Sequence, residues 1–110
     1  MKIYHYRYNE YKRQVTCTEI EVTETAKQYR ATSKHAWHGV FRKQDAGKLM
    51  TFTYGDSAEI YFTDRNDDEA MRIILDHIQQ SIQILQDNIK EKEENAKKIK
   101  SDGVAFDIVD

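Results

Sequence analysis

The chain has 110 residues, 19 acidic against 17 basic side chains and a net charge of −2, so it is neither a polybasic nucleic-acid binder nor an acidic mimic. At 13.0 kDa it is the size of one domain, and a domain of this length buries roughly 65% of its unfolded surface. Hydrophobic residues make up 39% and charged residues 33%, against ~45–50% apolar in globular chains, a count that includes glycine. That shortfall predicts a thin, extended or oligomeric structure.

One cysteine, Cys17, cannot close an internal disulfide, and the expectation is a reducing, cytoplasmic location. No apolar run approaches the ~18 residues of a membrane span. The opening Met1-Lys2-Ile3-Tyr4-His5-Tyr6 has no apolar core of a signal peptide.

The grammar changes near residue 65. Residues 1–65 hold eleven of the twelve aromatics and a net charge of +3, while residues 66–110 carry −5. The predicted organisation is a single domain over 1–110, with a sheet over 1–65, a long helix over 66–101 and a tail over 102–110.

Tyr4, Tyr6 and Tyr8 alternate with Ile3, His5 and Arg7, the period of a strand. Asn9 to Arg13 is a polar break, read as a loop of three to five residues. Val15 to Val22 is a second strand, paired with the first as a hairpin. Its apolar phase changes between Cys17 and Ile20, so either a bulge lies there or the two ends bury opposite faces. Tyr29–Thr32 and Gly39–Arg42 are short further strands. Asp45–Lys48 is a turn, Leu49–Tyr54 a strand, Gly55-Asp56 a tight turn and Ala58–Thr63 a strand. Five or six short strands result, mainly antiparallel.

Asn66 followed three residues later by Glu69 reads as a capping box. Asp67, Asp68 and Glu69 place negative charge on the first turn, and Lys97, Lys98 and Lys100 place positive charge on the last. Gly103 is a stop. Along this helix Met71, Leu75, Ile78, Ile82, Leu85 and Ile89 alternate in steps of four and three, continuing through Lys92, Ala96 and Ile99. That is a heptad seam. Ile73, Ile74 and Ile84 widen the apolar face. The helix should be about 50 Å long at ~1.5 Å per residue, whereas a strand spans only ~17–20 Å. Its second half must therefore face water or meet another chain. The expectation is a homodimer through Leu75, Ile78, Ile82, Leu85, Ile89, Ala96 and Ile99, with parallel and antiparallel pairing both open. The tail Val104–Asp110 is apolar with acidic punctuation, and reads either as a returning strand or as a frayed end.

No phosphate loop, serine-nucleophile elbow or zinc-protease motif is present. His35 and His38 flank Trp37 and, with Asp45 or Asp56, would make a metal-dependent enzyme the third reading. Two histidines fall short of the usual ligand count, and no cofactor is expected. Cys17 reads as a small hydrophobe and His77 as a packing residue. The aromatic and basic first half offers a second reading. Tyr4, Tyr6, Tyr8, Arg7, Arg30, Trp37 and Arg42 would bind a nucleotide or single-stranded nucleic acid by stacking and phosphate contacts. The alternative use of the tyrosines is packing under the helix with hydroxyls at the rim.

The strand Ile3–Tyr8, the stretch Phe41–Leu49 and the helix entry Asp67-Asp68-Glu69-Ala70 together resemble small uncharacterised proteins of bacterial and phage genomes, across most of the chain. The resemblance implies a binding role toward a host or defence component or a small nucleotide, and carries no site residues with it. The combined expectation is an α+β fold, a small mainly antiparallel sheet with one long C-terminal helix packed on one face. Its expected role is non-enzymatic, homodimeric and exercised through protein–protein contacts, with no membrane.

Overall fold

The computed structural model describes residues 1–32, 39–52 and 55–108. Strands β1 (Lys2–Asn9), β2 (Gln14–Glu24), β3 (Gln28–Ala31), β4 (Val40–Arg42), β5 (Met50–Thr51) and β6 (Ala58–Phe62) precede one helix, α1 (Asp67–Asp102). The strands form one curled antiparallel sheet in the order β4-β3-β2-β1-β6-β5, so the fold is α+β as expected. The chain divides into two compact units, Met1–Ile78 and Gln79–Asp110.

In the first unit β1 is central. It pairs with β2 along its whole length, Lys2 opposite Glu21 through Asn9 opposite Gln14, and with β6 from Tyr4–Phe62 to Tyr8–Ala58. The register is unbroken through Cys17 and Ile20, so no bulge explains the phase change in β2. Its two ends bury opposite faces. Val15 packs beside Tyr6 and Ile60 under the helix, while Ile20 and Val22 pack with Ile3 on the other face. The β1–β2 loop runs over residues 10–13. Asn9 Oδ1 accepts from the amides of Tyr11 and Lys12, both at 3.0 Å, and Arg13 takes the left-handed conformation at φ 55°. An Asx turn thus replaces the glycine that a tighter hairpin would need.

Alternation along β1 and β6 gives the sheet two cores. One face carries Ile3, Val22, Tyr29, Phe41 and Tyr61. Phe41 and Tyr61 meet edge-on at 5.3 Å between centroids, and the Tyr61 hydroxyl donates to the Arg42 carbonyl. Burial, with Tyr29 and Asp45 adding to it, pushes the Tyr61 phenol up to about 12. The other face carries Tyr6 and Ile60 against Ala70 and Ile74 of α1, with Tyr4, Tyr8, Leu49, Phe62, Ile73 and Ile78 around them.

The helix start is held from the sheet. Asn66 Oδ1 accepts from the Glu69 amide at 3.2 Å, the forward half of a capping box. Glu69 does not complete the return bond; its carboxylate takes Arg72 at 3.0 and 2.5 Å. The Asn66 amide donates instead to the Tyr6 hydroxyl at 3.0 Å, and that hydroxyl donates to Asp67 at 2.5 Å. Burial first, then the bond to Asp67, raises the Tyr6 phenol well above its ordinary range. Arg65, and after it Tyr6, holds the Asp67 carboxyl below the usual carboxylate range.

This anchoring sets which helix face meets the sheet. Met71 and Leu75 remain 39% and 55% exposed, while Ala70 and Ile74 are buried. The small side chain of Ala70 permits close approach over Tyr6 and Ile60, so the residues read as widening the face, Ile73 and Ile74, do the packing. His77 adds a contact at 2.9 Å to the Asp56 carbonyl, which requires its Nε2 to be the protonated nitrogen.

In the second unit α1 runs on to Asp102, and Gly103 ends it at φ 70°. The residues after Gly103 form no strand as far as Ile108, and Val104, Phe106 and Ile108 are exposed. No helix is long and apolar enough to cross a membrane among the described residues.

Candidate functional site

Three groupings of side chains stand out: the tyrosine face, a basic concavity and the apolar face of the second unit.

The tyrosine face is used for packing. Tyr6 is 2% exposed. Tyr4 and Tyr8 are half-buried against the same cluster, and the Tyr4 hydroxyl reaches Glu19 at 3.3 Å. Arg7 points to the opposite face, because its cross-strand partners are Thr16 and Glu59. Arg30 and Arg42 are exposed on β3 and β4, two strands and more away from β1. The residues expected to form one stacking platform therefore do not converge. Trp37, His35 and His38 lie outside the described residues.

The basic concavity holds about 590 Å³ and is lined by Ala26, Lys27, Gln28, Arg42, Lys43 and Gln44. Lys43 is paired with Glu24 at 2.6 Å and lies over the Tyr29 ring at 5.3 Å. Lys27 and Arg42 have no acid partner among the described residues. The site is formed where the β2–β3 turn meets the end of β4, joined by the Lys43 amide donating to the Lys27 carbonyl at 2.9 Å. Sequence reading named Arg42 but did not see that β3–β4 pairing brings it beside Lys27.

Sequence reading also passed over His5. It shares the face of Ile3, is 6% exposed, and sets its ring edge-on to Phe41 at 5.5 Å. Its Nε2 lies 3.3 Å from the Glu59 carboxylate. The signal was available in the alternation of β1, where every odd position to His5 turns away from the tyrosines. Cys17, read as a small hydrophobe inside a strand, lies in β2 and is exposed there. It stands opposite Tyr6 in the register, and the helix residues that seal Tyr6 leave it uncovered. Among the described residues no three His, Cys, Asp or Glu side chains are grouped to hold a metal ion.

The residues expected at a helix–helix interface fall in both units. In the first, Leu75 is exposed and Ile78 half-buried, both along an apolar groove of about 320 Å³ shared with Tyr8, Val15 and Met71. In the second, Ile82, Leu85, Ile89 and Ile99 are 41%, 59%, 57% and 70% exposed, and Ala96 is exposed between them. These aliphatic side chains form a regularly spaced exposed strip along one helix.

The chain matches no protein-family model, no curated protein and no solved structure.

Proposed function

We propose that this protein is a non-enzymatic homodimer that acts by binding other proteins, with the second half of α1 holding the two copies together. The observation that supports it is the exposed face Ile82, Leu85, Ile89, Ala96 and Ile99, in one heptad phase along one helix with Lys92 at the seam position between Ile89 and Ala96. His5 and His77, the described side chains best suited to proton transfer, are both engaged in structural contacts. Covering the four large residues in both copies would yield roughly 7–14 kcal/mol of apolar burial. Association itself costs about 4–15 kcal/mol. Micromolar dissociation, about −8 kcal/mol, therefore needs burial near the top of the first range and a cost near the bottom of the second.

Light scattering coupled to size exclusion tests this across low to high micromolar concentrations. The mass should rise from 13.0 kDa toward about 26 kDa, twice the chain mass. A chain that stays at its monomer mass at high micromolar concentration overturns the homodimer.

A second reading has its own observation. Lys27 and Arg42, with no acid partner among the described residues and with the Gln28 and Gln44 amides beside them in the basic concavity, suit a phosphate-bearing small molecule such as a nucleotide. Protein purified without nuclease and showing a raised 260/280 nm ratio, lost on Arg42→Glu, supports it. A protein-like ratio with no heat on titrating a nucleotide sets it aside.

A further inference from the structure

Resting on the homodimer reading, we propose that the two helices pair antiparallel, with the two-fold axis at the level of Asp87.

The first argument is Lys92. It occupies a seam position between Ile89 and Ala96, and it is exposed. In a parallel in-register pair each seam residue meets its own copy. Lys92 would then face the partner's Lys92, two like charges in the most desolvated part of the contact. In an antiparallel pair seam positions of the two kinds face each other. Centred on Asp87, Leu85 meets the partner's Ile89 and Ile82 meets the partner's Lys92. The long lysine stem then covers Ile82 while its ammonium reaches water. The same register sets Ile78 opposite the partner's Ala96 and Leu75 opposite the partner's Ile99. It is the register in which every aliphatic seam residue from Leu75 to Ile99 finds an apolar counterpart or a lysine stem.

The second argument is the composition of the shoulders. Gln79, Gln86 and Glu93 flank the seam on one side, and Ser81, Asn88 and Asn95 on the other. A two-fold contact must be complementary to itself. In this register Gln86 meets the partner's Gln86 and Asn88 meets the partner's Asn88. A carboxamide both donates and accepts, so it satisfies its own copy where a charged side chain would repel it. Gln79 meets the partner's Glu93 and Ser81 the partner's Asn95, again with no like charges opposed. Only Arg72 and the partner's Lys100 oppose two cations, and Arg72 is already bridged to Glu69 at 3.0 and 2.5 Å. Of the other charges in the paired stretch, Asp76, Asp87, Lys90, Glu91, Glu94, Lys97 and Lys98 lie off the seam and its shoulders, while Asp102 continues the Ser81 shoulder at its end, with no like charge opposite.

Pulsed electron spin resonance on a single nitroxide tests the orientation. Cys17 is exposed and free, so it is first replaced as Cys17→Ser, and the label is attached at Ser101→Cys, on the outer side of the helix. In the antiparallel pair the two labels lie about 42 Å apart along the axis, from 28 residues at ~1.5 Å each. In a parallel pair they lie side by side, at roughly 20 Å or less, about two helix diameters. A dominant distance above ~40 Å is the expected result. A short distance in a sample that scatters as a dimer overturns the orientation and leaves the homodimer standing; a monomer mass overturns both. A mixing experiment gives an independent readout. Wild type mixed with Lys92→Glu should show the statistical proportion of heterodimer, whereas a parallel pair would favour the heterodimer by bringing lysine against glutamate.

Discussion

Replacing Tyr6 with Phe removes one oxygen and tests how the helix is fixed to the sheet. The Tyr6 ring would stay in its place between Ile60, Ala70 and Ile74, and its edge contact with Phe62 at 5.9 Å needs no hydroxyl. What is lost is the acceptor for the Asn66 amide at 3.0 Å and the donor to Asp67 at 2.5 Å. The Asn66 amide is part-buried, and stranding such a donor costs about 1–3 kcal/mol. For a domain of this size that lowers the melting temperature by roughly 5–15 °C. Urea denaturation followed by circular dichroism measures the difference, with Tyr4→Phe as control, since that hydroxyl makes only an exposed bond at 3.3 Å. The pH dependence follows from Asp67, whose carboxyl is lowered in the folded state by Arg65 and then Tyr6. A lowered folded value gives stability that is present above the unfolded value near ~3.9 and lost as pH falls through the folded one. The gap between wild type and Tyr6→Phe should therefore narrow in acid below that point. A Tyr6→Phe protein within 0.5 kcal/mol of wild type, on the scale of a neutral surface change, would refute the tyrosine as the helix anchor.

Three further outcomes follow from the structure. On the homodimer reading, Leu85→Asp should hold the protein at its monomer mass at every concentration, and Leu85→Ala should weaken self-association by roughly 30- to 100-fold, from about 1 kcal/mol or slightly more lost per copy; an unchanged mass profile for both would refute the helix seam as the contact. Tyr61, raised to about 12, contributes stability that is full below the unfolded phenol value near ~10 and lost as pH rises from there through the folded value, so Tyr61→Phe should flatten the alkaline loss of stability, and absorbance at 295 nm should show one tyrosine fewer titrating late. Gly55→Ala places a side chain at φ 76° where the Glu10 carboxylate already lies, and should cost about 1–2 kcal/mol; equal stability to wild type in thermal melting would mean that the turn can readjust.

Much of the fold is legible in the sequence because its signals are local. The alternation of Tyr4, Tyr6 and Tyr8, the Asn66–Glu69 cap and the stop at Gly103 each depend on neighbours a few residues away, and each appears where expected. The phase change in β2 was legible as a choice between two causes, and the register selects the one in which opposite faces are buried. The anchor of the helix is not legible. Ile73 and Ile74 widen the apolar face in the sequence, but the close approach at Ala70 depends on a hydroxyl sixty residues earlier that holds the Asn66 amide. No periodicity encodes that. The same limit explains the basic concavity, since Lys27 and Arg42 meet only through β3–β4 pairing, and the buried His5, whose neighbours Phe41 and Glu59 come from distant strands.

The division of labour between the two units argues for where function lies. In Met1–Ile78 both faces of the sheet have their own cores, and the tyrosines that could have stacked a base are committed to one of them. Folding of that unit uses Ala70, Ile73, Ile74 and Ile78 from the helix. Beyond Ile78, Ile82, Leu85, Ile89 and Ile99 recur in heptad phase and are exposed, as is Ile84 off that phase. Ile82, Leu85, Ile89 and Ile99 share a single heptad phase, and the unit's charges, Lys92 apart, fall outside it. A seam of that kind lowers solubility and contributes little to an isolated helix, whose marginal stability in water comes mainly from tertiary packing. On the proposed reading that cost is offset when a second copy's helix covers the seam, where the amides at Gln86 and Asn88 are self-complementary.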